Sequence, residues 1–389
     1  MAYKALEDLT TERQEYSFAE DIHKLDSKID PLTVLTNQIG KKGTVNGVRH
    51  YWYHEEMDNR WDTVNGEQAA ATTILTVDNY ARFHKWDVVF SPETTWMGIC
   101  NDGSLDATVE FVKLASGSGA MTDGENVLIL GPAIEEGSPG VTAYQGTVTA
   151  LYNYTTTLQR AWSVTREVQD NAIHGGDELA RLQNKKMREL ARDIELNLWH
   201  NERYLSTGVT GTKNLSLNGG LIYFLTGSGD GSANTTSATT LTEATWQTFL
   251  SEEFKYVDTC YVFMSELIQR CMDNWSRGKL RLAPESKTYG MNITEYVMTG
   301  KRALLIDARR VLEDGADTAL TDFGGYAVAL DLSDIRLLWY TGQEPKLTTH
   351  VETAKQALNR REDASQCQFT LEVGDSKRHS VLSGVTTIG

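Results

Sequence analysis

The residues best equipped for chemistry come in short stretches, and each stretch lacks the partner its chemistry requires. His174-Gly175-Gly176-Asp177 has the form of an oxyanion-hole segment, in which backbone N–H groups steady a developing negative charge. Acyl transfer also needs a positioned nucleophile, and no Gly-x-Ser-x-Gly elbow occurs in the chain. TGSGDGS at 226–232 is glycine-rich like a phosphate cradle, but no Gly-Lys-Ser/Thr follows. The next residues, ANTTSATT, do not open a helix whose N–H groups could hold the phosphate. His50 and His54 would share one face of a helix, as zinc ligands do, yet the residues between them are strand formers. NDGSLD at 101–106 lacks the spaced ligands and closing Glu of a calcium loop and reads as a β-turn. The adjacent acids Glu135-Glu136 and Glu252-Glu253 offer no difference of surroundings that would make one an acid and the other a base. Cys100, Cys260, Cys271 and Cys367 form no Cys-x-x-Cys pair and read as reduced, partly buried side chains. The expectation is a protein that is not an enzyme, with no catalytic, cofactor-binding or metal-binding residues.

Composition narrows the class further. A chain of 389 residues, 23% charged and 40% hydrophobic, is ordinary folded protein with room for two or three compact units. The net charge of −16, from 53 acids and 37 bases, opposes tight, sequence-independent binding to nucleic acid as a whole. No run approaches the ~18 apolar residues needed to cross a bilayer. The opening residues, MAYKALEDLTTERQEY, lack the apolar stretch of a signal peptide, so synthesis in the cytoplasm is expected.

The elements that carry these stretches have a distinctive order. Residues 1–30 are polar and read as an arm, followed by a helical or turn segment, PLTVLTNQIGKKG. In VRHYWYHEE at 48–56, Val48, His50, Trp52 and His54 face one way, and Arg49, Tyr51 and Tyr53 the other. Large rings on both faces do not suit a half-solvated strand; such a strand lies between layers or reaches out to pack between other molecules. Residues 73–135 hold short strand candidates (TTILTV, WDVVFS, TVEFVKL, NVLILG) parted by turns, which suggests a small sandwich or barrel. TVTALYNYT at 147–155 alternates, with Val148, Ala150, Tyr152 and Tyr154 on one face, and could pair antiparallel with the aromatic strand. The β unit would then be an insertion at the tip of a two-stranded arm.

Asp177 is placed to cap the longest helical pattern in the chain. Leu179, Leu182, Met187, Leu190, Ile194 and Leu198 form its expected buried stripe. Its other face carries Arg181, Lys185, Arg188 and Arg192 with Glu189, Asp193 and Glu195, which suits ion pairs along an exposed surface. At ~1.5 Å per residue the rod is ~35 Å long. Beyond it, LIYFL at 221–225 reads as a strand inside a long Gly/Ser/Thr-rich loop. From Glu243 a mixed unit follows, with helices at ATWQTFLSEEFKYV and SELIQRCMDNWSR and strands at DTCYVFMS, YGMNITEYVM and KRALLIDA. QCQFTLEV at 366–373 points Cys367, Phe369, Leu371 and Val373 inward, and SVLSGVTTI closes the chain.

This series of parts is similar to the Hong Kong 97-type major capsid proteins of tailed phages. The likeness is densest over 135–225, where one branch of that family has an ordered set of motifs. The residues that match are Glu135, Glu136, Gly137, Asn153, Tyr154, Thr155, Val164, Thr165, Lys186, Glu189, Leu190, Asp193, Glu195, Gly219 and Gly220. Thr156 stands where the family often has Gln.

The resemblance implies an α+β fold with an N-terminal arm (1–44), an extended loop (45–72 and 135–160) and an inserted β domain (73–134). It also implies a peripheral domain (161–242 and 346–389) with a spine helix at about 177–201, and an axial domain (243–345). Tyr51, Trp52, Tyr53, Trp61, Tyr152 and Tyr154 would be the subunit contacts. The implied function is self-assembly, through hexamers and pentamers, into an icosahedral shell around double-stranded DNA that is held without sequence-specific binding. An acidic lining would let that duplex slide. Implied partners are further copies of the chain, a portal, a decoration protein and a separate scaffolding protein, since only about thirty residues precede the core pattern. Assembly would occur in the host cytoplasm and the product would be the virion; no membrane, cofactor or inter-subunit isopeptide bond is expected. The alternatives are an encapsulin-like or gene-transfer-agent shell, another virion part such as a tail tube or decoration protein, and a cytosolic hydrolase.

Overall fold

The computed structural model describes residues 31–39, 43–55, 59–69, 74–105, 108–115, 120–134, 136–137, 148–170, 177–206, 211, 213–227, 234–275, 280–282, 294–298, 300–308, 311–312, 323–349, 351 and 360–388. The chain divides into a larger unit, Met1–Trp52 with Ala150–Gly389, and a smaller one, Tyr53–Thr149. The smaller unit holds the expected insertion, 73–134, together with much of the segment assigned to the extended loop. The residues at 56–58 and 70–73, and the arm at 1–30, lie outside the described residues.

The larger unit is built on two sheets. In the first, the long strand Arg360–Val373 pairs antiparallel with Thr156–Thr165 on one side and with Ile335–Tyr340 on the other. Its alternation turns Cys367, Phe369, Leu371 and Val373 into the core, as expected from their period of two. The short strand Gly43–Val45 adds parallel to Leu338–Tyr340, so the end of the arm is already part of this sheet. The second sheet has seven strands centred on Thr259–Met264, which lies between a parallel neighbour, Lys301–Asp307, and an antiparallel one, Ala327–Leu330. Ala327–Leu330 is buried throughout, as a central strand covered on both faces must be. The helices Glu243–Glu253 and Glu266–Trp275 supply Trp246, Phe249, Leu250, Ile268 and Met272 to its core.

The two sheets do not follow the expected division into axial and peripheral segments. Ile335–Tyr340, expected in the axial part, belongs to the sheet of Arg360–Val373. Thr235–Ser237 and Ser380–Ser383, expected in the peripheral part, complete the seven-stranded sheet. Strand partners far apart in sequence decide membership, and no local pattern records them.

Two short elements also differ from expectation. LIYFL is a one-turn helix, Leu221–Leu225, because Leu221, Phe224 and Leu225 bury at helical spacing against the spine helix. NDGSL is not a turn. It continues the strand Met97–Leu105, whose pairing with Thr108–Ala115 shifts register at Cys100/Asp102 and again at Asp102/Leu105. Such bulges let a polar, glycine-containing run stay in a sheet.

The smaller unit is a six-stranded sheet around a core that includes Phe83, Trp96, Phe111 and Ile129. Phe111 meets the edge of both Trp96 and Phe83. Buried Glu125 accepts hydrogen bonds from Thr94 Oγ1 at 2.8 Å and Thr122 N at 3.0 Å, and also from Ser91. These bonds fix the turns beneath the sheet.

The spine helix runs Glu178–His200, and Asp177 caps it by accepting the Leu179 N–H at 2.9 Å. His174–Gly176 lie outside the described residues. Only the C-terminal half of the expected stripe is sealed: Leu190, Ile194 and Leu198 are buried, whereas Leu179, Leu182 and Met187 are half-buried. Glu195, expected on the solvent face, is instead buried. Truncation should therefore cost very different amounts along one helix. Leu198→Ala should destabilise by about 2–5 kcal/mol, and Leu182→Ala by under about 1 kcal/mol; denaturant unfolding of the two variants checks this.

Candidate assembly surface

Several of the residues that the sequence singles out, Asn153, Tyr154, Thr156, Gly219 and Gly220, meet at one junction. Asn153 is fully buried in the strand Thr149–Tyr154. Its Nδ2 donates to the carbonyls of Gly219 (3.0 Å) and Leu371 (2.7 Å), while its Oδ1 accepts from the N–H groups of Gly219 (2.7 Å) and Tyr154 (2.9 Å). A buried amide so satisfied is stabilising, whereas one left without partners is costly. Beside it, Thr156 Oγ1 donates to Asn218 Oδ1 and accepts the Asn218 N–H, both at 2.6 Å. Thr370 Oγ1 donates to the Tyr154 carbonyl at 2.8 Å.

The Gly219-Gly220 pair is explained by the same junction. A Cβ on Gly220 would stand 2.8 Å from the carbonyl carbon and oxygen of Trp199, and one on Gly219 would meet the rings of Tyr223 and Phe224 at 2.9–3.0 Å. Gly220 N donates to Asn201 O at 2.7 Å. The chain must pass this close to the end of the spine helix, and only glycine permits it.

Glu195 closes a second joint. Its carboxylate accepts from the N–H groups of Leu32 (2.9 Å) and Thr33 (2.8 Å), from the Thr33 hydroxyl (2.5 Å), and from Trp199 Nε1 (3.1 Å). The first two donors are free N–H groups at the start of the helix Pro31–Ile39, so a spine-helix acid caps the arm helix. Burial pushes the Glu195 carboxyl above its usual range, and these hydrogen bonds draw it back. On the exposed face of the spine helix, Arg160 holds Asp193 through paired bonds of 2.6 and 2.7 Å, and Lys186 meets Glu189 at 2.7 Å.

From the junction extends the two-stranded pair Arg49–His54 with Thr149–Tyr154, the pairing expected from sequence. In the second strand Leu151 and Asn153 are buried, while Val148 and Ala150, on the other face, are exposed. The six expected contact residues are sorted accordingly. Trp52 and Tyr154 are spent inside the chain, each 7% exposed, and Trp52 meets Phe224 edge-on at 5.8 Å. They are not available to a neighbour. Tyr51 and Tyr53 are 48% and 72% exposed, Trp61 is exposed on the sheet of the smaller unit, and Tyr152 is half-buried.

Arg49, which shares a strand face with Tyr51, and Arg203 organise three of these rings, those of Tyr51, Tyr152 and Tyr154. The Arg49 guanidinium lies 4.5 Å from the Tyr152 ring centre and donates to the hydroxyls of Tyr51 and Tyr154. Arg203, just past the spine helix, lies 3.9 Å from the Tyr152 ring centre and donates to the Tyr152 carbonyl at 3.0 Å. Such contacts hold aromatic side chains in fixed orientations at an exposed surface. Their signal in sequence was faint, since a lone Arg beside tyrosines is common.

His50 pairs with Glu372 at 2.9 Å rather than with His54, and Arg336 holds the other oxygen of Glu372 at 3.0 Å. Among the described residues, no group of three or more His, Cys, Asp or Glu could hold a metal ion. All four cysteines are buried and free of disulfides. Two further titratable groups, Glu253 and His379, are also buried. Desolvation, then the charge of Asp331, pushes the Glu253 carboxyl up to about 9, and desolvation pushes the His379 imidazole down to about 4. The Asp331 N–H donates to His379 Nδ1 at 3.1 Å, which places the ring proton on Nε2.

These shifts fix a pH dependence. Glu253 favours the folded state at low pH, and that contribution is lost as pH rises from 4.5 to about 9; His379 favours it at high pH and loses its share as pH falls from 6.5 to about 4. The two oppose each other between about 4.5 and 6.5, and above that Glu253 alone acts. Glu253→Gln should therefore be more stable than the parent at pH 8.5, with the gap much smaller at pH 5, as read from denaturant midpoints. Separately, Asn153→Ala should cost about 2–4 kcal/mol in unfolding, because the Gly219 and Leu371 groups lose their buried partner.

Comparison with known proteins places this geometry. The sequence model of the SU10 major capsid protein family matches residues 6–386. A major capsid protein of Pseudomonas phage PaMx41 is 21% identical over 336 residues, covering 82% of this chain and 77% of that protein. Among solved structures, a chain from the capsid of a native GTA particle is similar with a TM-score of 0.52 at 10% identity, covering 99% of this chain and 100% of that one. A chain from Gordonia phage Cozz gives a TM-score of 0.50 at 12% identity, covering 97% and 93%.

Proposed function

The chain belongs to the SU10 major capsid protein family, and on that premise we propose how its surfaces build a shell. The fold is of the Hong Kong 97 type, and the function is that of the major capsid protein of a tailed phage, a structural component of the virion. In our reading, copies join head-to-tail around axes into hexamers and pentamers, and these rings tile into an icosahedral shell. The two-stranded extension lies over a neighbouring copy, the seven-stranded unit meets its equivalents near the axes, and the arm is clasped beside the spine helix.

The observation that carries this reading is the anchoring of the extension. Exposed Tyr51 and Tyr53 project from a strand whose partner is fixed by the buried Asn153 amide and braced by Arg49 and Arg203. A surface prepared at that cost in buried polar groups is suited to receive another molecule, since rigid aromatic anchors bind with little loss of freedom. A net charge of −16 favours a lining along which packaged double-stranded DNA moves without sequence-specific contact. A separate scaffolding protein, a portal and a decoration protein complete the proposed set of partners, with assembly in the host cytoplasm.

Negative-stain microscopy of the expressed chain should show shells, or rings of five and six; a persistent monomer would contradict the reading. Replacing Tyr51 and Tyr53 together by Asp should abolish those assemblies while leaving the subunit's melting temperature within a few degrees. Trp52→Ala should instead destabilise the subunit itself, by about 3–5 kcal/mol.

A further inference from the structure

The smaller unit has a second apolar sheet face that its own core does not use. One cross-strand row runs Trp61, Leu128, Phe90, Met97, each pair in direct register. A second runs Val88, Ile99, Val112. Their chain neighbours Asp62, Val127, Val89, Cys100 and Phe111 point the other way and are buried. On the outer face Trp61, Val112, Leu114 and Leu130 are 43%, 54%, 51% and 55% exposed. A sheet that faces water normally alternates apolar inside with polar outside; this one is apolar on both sides over its central strands.

We propose that in the assembled shell this face packs against the same face of a second copy of the chain. The inference rests on the shell reading given above. Three features select that occupant. Each copy carries a net charge of −16, so copies repel, and the two rows contain no charged residue. Across them two copies can meet with no like charges placed face to face. An apolar sheet face also packs readily on another sheet face, at the ~10 Å spacing of stacked sheets. Finally, five strands at ~4.8 Å and a depth of a few residues give ~300 Å², well below the ~800 Å² per partner of a stable free-standing complex. A contact of that size does not hold two free subunits together. It adds to assembly only where the shell already keeps copies at high effective concentration.

The test uses thiol protection. All four native cysteines are buried, so an added surface thiol is read against a low background. Val112→Cys and Leu130→Cys are made separately in the full chain, with Glu93→Cys, in an exposed loop, as control. Maleimide labelling is timed on free subunits and on shells assembled from the purified chain alone, with shell formation checked independently by sedimentation. We expect both face positions to label at least tenfold more slowly in shells than in subunits, while the control changes little. Intact shells whose face thiols label as fast as free subunits would overturn the inference and leave the shell reading standing. Protection seen only in virions, and not in shells of the chain alone, would also overturn it, because another protein would then be the cover. Failure to form shells even when the scaffolding protein is supplied would remove the shell reading and this inference with it.

Discussion

The structure depends on one buried side-chain amide. Asn153 satisfies both its nitrogen and its oxygen on the backbone of two segments distant in sequence, at Gly219 and Leu371, and on its own neighbour Tyr154. The strand of the extension, the loop beyond the spine helix and the longest strand of the core thus share one residue. Because an unpaired amide in that place would cost more than a paired one contributes, the three segments have little freedom to shift separately. The extension is consequently an outgrowth of the core rather than a loose loop.

Glu195 does for the arm what Asn153 does for the extension. A carboxylate buried in the spine helix is expensive unless paired, and here its partners are the first N–H groups of the arm helix and the indole of Trp199. The spine helix is therefore more than a beam with one apolar stripe. Its C-terminal half is a socket with polar fittings, and its N-terminal half carries half-buried ion pairs at the surface. The same helix can hold the core and position two appendages because these tasks fall on different turns.

Legibility in the sequence followed range. The helix cap at Asp177 and the inward alternation of Cys367 to Val373 rest on local pattern, and both are present; the pairing of the aromatic strand with the 149–154 strand is present too, and it was read from the order of parts rather than from either strand alone. What escaped depended on distant partners. Glu195 looked like a surface acid because nothing nearby showed that Leu32 and Thr33 would bring their N–H groups to it. LIYFL has strand composition, and only its burial beside Trp199 makes it a helical turn. Trp52 and Tyr51 are adjacent and equally aromatic, yet one is core and the other surface, which a period of two predicts only once the buried side is known. The ordered motif residues proved more informative than any single one: Asn153, Gly219 and Gly220 meet in space, and Glu195 lies on the neighbouring helix. HGGD and TGSGDGS, the most site-like stretches, fall largely outside the described residues.

The central claim is that a rigidly anchored extension presents aromatic side chains for a neighbouring copy. Amide hydrogen exchange, compared between free subunits and assembled shells, tests it most directly. The account predicts slow exchange at Tyr154, Thr155 and Gly219 in both states, with strong additional protection at Tyr51–Tyr53 appearing only on assembly. Fast exchange at Tyr154 and Gly219 in the free subunit, or unchanged exchange at Tyr51–Tyr53 in the shell, would contradict it.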